Sequence, residues 1–126
     1  MPVPQTILTR KTKTAIFVVL VINEGGEAQV RDFLGQVPSL TNAVSSRAPD
    51  MALAGIVSIG SQAWDRLFDG PRPQSLRPFV AYEGEVHTAP ATPGDLLLHI
   101  KADQLDLCYE LGRKFTAALG DAVTVV

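Results

Sequence analysis

Residues 15–22 read Ala-Ile-Phe-Val-Val-Leu-Val-Ile, an unbroken apolar run closed by Asn23-Glu24-Gly25-Gly26. Branching at Cβ and the turn chemistry at its end predict a strand. Alternation divides the run into two faces, with Ile16, Val18, Leu20 and Ile22 on one and Ala15, Phe17, Val19 and Val21 on the other. Both faces are apolar, so this strand needs a dry neighbour on each side. At roughly 25 cal/mol per Å² of apolar surface, leaving several of these side chains in water would forgo several kcal/mol, comparable with the whole stability of a small domain.

Working outward, Val30, Phe33, Leu34, Val37, Leu40 and Val44 recur at helical spacing on a helix that starts near Gly26. Pro38 falls inside this pattern, and its missing N–H predicts a bend or restart near Val37, with Ser39 opening a second segment. Residues 51–60 (MALAGIVSIG) read as a second strand, with Leu53, Val57 and Ile59 on one face and Ala54 and Ile56 on the other. Ser61 is expected to cap a short amphipathic turn, Gln62 to Phe68. Residues 95–101 form a third strand, and Asp103 is expected to cap the helix that carries Leu107, Cys108, Leu111, Phe115 and Ala118 and ends at Gly120. Residues 122–126 read as a fourth strand. Residues 69–94 hold Pro71, Pro73, Pro78, Pro90 and Pro93, and a loop of that length is expected to cover a site or pack on a partner. Residues 1–12, with Pro2 and Pro4, read as an N-terminal arm on a single domain of residues 13–126.

The order β-α-β, short helix and loop, β-α-β predicts an α+β, ferredoxin-like antiparallel sheet. Right-handed crossovers place both long helices on one face. The second face is then bare, although the first strand is apolar there too. A second domain of the same polypeptide or a partner subunit is expected to cover it.

At 126 residues, 46% hydrophobic and 19% charged, the chain has the composition of one globular domain. A formal net charge of -2 with scattered charges offers no basic field, so neither nucleic acid nor a membrane surface is expected as a partner. The longest apolar run is eight residues, and a membrane-spanning helix needs about twenty. The N-terminal residues lack the order of a secretory signal, and the single cysteine excludes an internal disulfide, so a cytoplasmic location is expected.

The residues able to carry chemistry are few. His87 lies in the proline-rich loop and His99 on the third strand, opposite in sense to Leu98 and Ile100. Neither has a His or Cys at ligand spacing, so His99 reads as a packed strand histidine and His87 as a loop residue. Cys108 sits on a helical apolar stripe and reads as a small buried hydrophobe. Asp65, Asp69, Glu83, Glu85 and Asp95 flank the loop but show no paired partner for acid–base work and read as solvated. The glycines form neither a dinucleotide-binding nor a Walker-type pattern. RNA-recognition domains share the element order but carry stacking aromatics on the third strand, where this chain has Leu96-Leu97-Leu98-His99-Ile100. Trp64, Tyr82 and Tyr109 could relay electrons, but with only three such residues packing and hydrogen bonding is the expected role.

Residues 58–69 (SIGSQAWDRLFD), 90–101 (PATPGDLLLHIK), 106–110 (DLCYE) and 120–126 (GDAVTVV), in this order, resemble the N-terminal half of dye-decolourising (DyP-type) haem peroxidases of the bacterial cytoplasmic branch. The resemblance implies two ferredoxin-like halves packed sheet on sheet, haem b held in the second half, and reduction of hydrogen peroxide coupled to oxidation of dyes or phenols. A homo-oligomer is expected. The family's Gly-x-x-Asp-Gly motif, distal arginine and proximal histidine lie beyond the position matching Val126, so no catalytic, cofactor-binding or metal-ligating residue is assigned in this chain. Arg66-Leu-Phe-Asp69-Gly70 lacks the first glycine of that motif and comes too early, and His99 matches a strand position and not the iron ligand. The expectation is a scaffold half that is inactive alone. The alternative is a stand-alone dimeric ferredoxin-like module that binds a small apolar ligand between its sheets.

Overall fold

A computed structural model describes residues 5–126. Along the chain run β1 (Thr14–Ile22), α1 (Glu27–Ser45), β2 (Ala54–Ile59), α2 (Ser61–Leu67), β3 (Tyr82–Glu83), β4 (Thr88–Ala89), β5 (Leu96–Ala102), α3 (Leu105–Leu119) and β6 (Val123–Val125). Four of the strands make one sheet in the order β2-β5-β1-β6, antiparallel at every pairing. This is the α+β, ferredoxin-like arrangement that the order of elements predicts.

The register sorts the side chains. Ile16 lies opposite Ile100, Val18 opposite Leu98 and Leu20 opposite Leu96, and Val57 flanks Leu98 from the other side. These residues meet Val30, Phe33, Val37 and Val44 of α1 and Cys108, Leu111, Phe115 and Leu119 of α3 in one apolar core. Phe33 and Phe115 join the two helices edge to face, with ring centroids 5.3 Å apart, the geometry that aromatic quadrupoles favour. Gly55 lies opposite Ile100 on this face, and a Cβ there would stand 2.9 Å from Phe115 Cζ. Glycine at this position lets α3 approach the sheet.

Three local expectations are corrected. Helix α1 runs unbroken through Pro38. Pro38 is exposed, so its ring lies on the solvent side of the helix, and Thr41 Oγ1 donates back to Val37 O at 2.8 Å. Gly60 occupies the N-cap of α2, with Ser61 the first helical residue, and a Cβ at Gly60 would lie 2.8 Å from Gly94 O. Gln104 is the N-cap of α3, because Asp103 is drawn away to Arg10. The long loop also contains the small hairpin β3–β4, which sequence patterning did not reveal.

Residues 1–4 of the expected arm lie outside the described residues. From Gln5 onward the arm is held at two points. The Gln5 amide donates to Val57 O at 3.0 Å and accepts from Val57 N at 2.8 Å, and Arg10 bonds both carboxylate oxygens of Asp103 and the carbonyl of Asp50.

Candidate functional site

The helix-free face of the sheet is the largest feature left unexplained by the fold. Three rows cross it. Val19, Leu97 and Ser58 form the first, Phe17, His99 and Ile56 the second, and Ala15, Lys101 and Ala54 the third. Phe17 is 62% exposed and Val19 37%, whereas their sequence neighbour Leu20 on the opposite face is fully buried. Phe17 and His99 stack with centroids 4.3 Å apart and planes 18° apart. Ala54 and Ile56 are buried although they belong to this face, and in sequence they lie between Asp50 and Val57, the points where the arm is anchored. A shallow depression beside Val19, Gly94 and Leu97 continues the face toward the start of β5.

A second concavity of about 500 Å³ opens beside the edge strand, between α1 and β2. Leu34, Val37 and Leu53 supply its apolar wall, and Gln5, Thr41 and Asn42 its polar one. None of its lining residues is a His, Cys, Met, Tyr or Lys, so it presents no axial ligand for haem iron. His87 is exposed in the loop, His99 is engaged with Phe17, and Cys108 is buried with its Sγ 3.6 Å from Thr14 Oγ1. No group of three metal-binding side chains occurs among the described residues. Neither depression is lined, among the described residues, by a side chain that ligates haem iron.

The carboxylates named from sequence are dispersed. Asp95 accepts from Ile22 N at 2.7 Å and lies 3.6 Å from Arg66, which also bonds Glu27 at 2.7 Å and the carbonyl of Ile22. This knot fastens α1, α2, β1 and the start of β5. Hydrogen bonding from Arg66 holds the Glu27 carboxyl below the usual range. Hydrogen bonding from Arg10 does the same for Asp103, and the pairing raises the Arg10 guanidinium in turn. Both knots lie at the surface with their arginines open to solvent, where ion pairs contribute little to stability. Asp65 pairs with Arg72 at 2.8 Å, which steadies the first turn of the loop, while Asp69, Glu83 and Glu85 are exposed. The arrangement joins no two carboxylates in a pair suited to proton transfer.

The aromatics are similarly separated. Trp64 packs on Phe68 with centroids 4.7 Å apart, and its buried Nε1 has no hydrogen-bond partner among the described residues. The hydrogen bond expected for Trp64 is thus not made among the described residues. Tyr82 stands against Phe79 on the exposed hairpin, and Tyr109 is exposed on α3. Sequence patterning missed the stacked Phe17–His99 pair, because it arises from the register of two strands 82 positions apart.

A family profile described as "Dyp-type peroxidase, N-terminal" matches residues 4–126. A dye-decolorizing peroxidase of Mycobacterium tuberculosis is 54% identical over 98% of this chain and 37% of its own length. One from Brevibacterium linens is 48% identical over 98% of this chain and 34% of its own length. The chain thus spans about a third of the length of these curated relatives. Among solved structures, the encapsulated DyP-type peroxidase from Mycobacterium smegmatis superposes with a TM-score of 0.95 at 48% identity, over 100% of this chain and 41% of that one. A DypB variant of Rhodococcus jostii RHA1 in complex with heme gives 0.92 at 43% identity, over 98% and 41%.

Proposed function

Since the chain belongs to the Dyp-type peroxidase family and corresponds to its N-terminal part, we propose that it is the scaffold half of a haem-dependent peroxidase. The whole enzyme, on this reading, reduces hydrogen peroxide and oxidises dye-like or phenolic reductants in the cytoplasm. Haem b, the residues that bind it and those that activate peroxide lie outside residues 1–126. No catalytic role falls to His87, His99, Cys108 or Asp69.

The observation that carries this reading is the apolar, helix-free face around Phe17 and Val19. Large exposed apolar patches mark association surfaces. In this family context the natural cover is the remainder of the polypeptide, packed sheet on sheet at the roughly 10 Å spacing of such layers. The segment then supplies one wall of a two-layer core and none of the chemistry. The depression beside Pro38 and Thr41 lies on the far edge of the sheet and needs no part in it.

Hemin titrated into the 126-residue chain is expected to give no Soret band that saturates at one per chain. A saturating band accompanied by peroxidase turnover would overturn the assignment of the iron site to the rest of the molecule. The complete polypeptide is expected to bind one haem and to turn over peroxide with a phenolic reductant.

A further inference from the structure

The open face is mostly apolar and carries one cationic side chain, Lys101, at one end, which states what its cover must carry. Lys101 stands between Ala15 and Ala54, the two smallest side chains of the face, so its stem rises from a shallow shelf. No carboxylate lies within 4 Å of Lys101 among the described residues. Asp103, two positions on, is held by Arg10 at 2.5 Å and by the amide of Lys13. The arm offers no help, because residues 1–13 contain no Asp or Glu. The one acid bordering the face among the described residues is Asp95, at the end away from Lys101, and its carboxylate is already held by Ile22 N and Arg66.

A lysine that enters a dry interface without a partner is costly, and the cost is met by an ion pair or by neutralisation. We propose that the surface covering this face is an apolar sheet that places a carboxylate against Lys101, and that it comes from the part of the polypeptide following Val126. The inference rests on the two-layer reading above and adds the charge of the partner layer. Charge complementarity decides among the possible covers. A second copy of this face could offer Lys101 only Asp95, a carboxylate already engaged by Ile22 N and Arg66, so it supplies no free partner for the charge.

Thermal unfolding and haem retention of the complete haem-loaded polypeptide test this with four variants. Phe17→Glu reports on the covered face, and Lys101→Met, Lys101→Glu and Lys101→Arg report on the charge opposite. Expected are haem loss for Phe17→Glu, a fall in Tm of roughly 5–10 °C for Lys101→Met and at least as much for Lys101→Glu, and near-normal behaviour for Lys101→Arg. If Phe17→Glu is harmful but Lys101→Met is neutral or raises Tm, the opposing carboxylate does not exist while the two-layer reading stands. Equal losses for Lys101→Arg and Lys101→Met would assign the effect to packing and likewise overturn the proposal. A harmless Phe17→Glu removes the covered face and both inferences with it. Should Phe17→Glu convert an oligomer to a monomer that keeps its haem, the cover is a second copy and the proposal fails.

Discussion

The two faces of this sheet are built from the same strands and differ in what they can tolerate. On the helix side every position is specified by a neighbour: Leu20, Leu98 and Ile100 are fully buried, and even the absence of a side chain at Gly55 is set by Phe115. On the other side Phe17 and Val19 are large apolar side chains left exposed, Phe17 with only its stack on His99 for aromatic company. The difference teaches that apolar patterning records the finished molecule, including surfaces that this segment by itself leaves wet. A strand selected only for the packing seen here would need its odd-numbered residues to be polar.

Substitutions separate the two faces by size of effect. Phe115→Ala removes the ring that meets both Phe33 and Gly55, and it is expected to cost about 3–5 kcal/mol in urea unfolding. A cost under about 1 kcal/mol would mean that the helix side is not the tightly packed one. Gly55→Ala adds a methyl group into the 2.9 Å approach of Phe115 Cζ and is expected to cost about 1–3 kcal/mol, with α3 displaced from the sheet. Near-neutral behaviour would show that α3 can move outward without loss. Phe17→Ser is expected to change the stability of the 126-residue chain by no more than about 1 kcal/mol, the value of an aromatic stack. The same change in the complete polypeptide should be several times more damaging, and equal effects in both settings would erase the distinction between the faces.

Much of the fold was legible because β1, α1 and α3 have continuous patterns. The run 15–22, the stripe Val30–Val44 and the stripe Leu107–Ala118 each lie in one piece of sequence, and the structure places them as strand, helix and helix. Termini were less legible. Asp103 looks like a cap for α3, but Arg10, 93 positions earlier, competes for its carboxylate. Ser61 looks like a cap for α2, yet the close approach of Gly94 O makes Gly60 the residue that fits there. Pro38 suggests a break, and only its place on the exposed side of α1 explains its tolerance. Of the candidate site, the apolar character of the open face could be read from alternation along β1. The Phe17–His99 stack and the isolation of Lys101 required the register, which no local pattern encodes.

The grip of Gln5 on Val57 has a consequence for how the molecule avoids its own kind. β2 is an outer strand, and an unguarded outer strand is a template on which another chain can crystallise its backbone. By giving and receiving one hydrogen bond at the same residue, the Gln5 amide imitates the peptide unit of a strand that is not there. A single side chain thus fills one rung of the ladder and interrupts the row of vacancies that fibril growth would need.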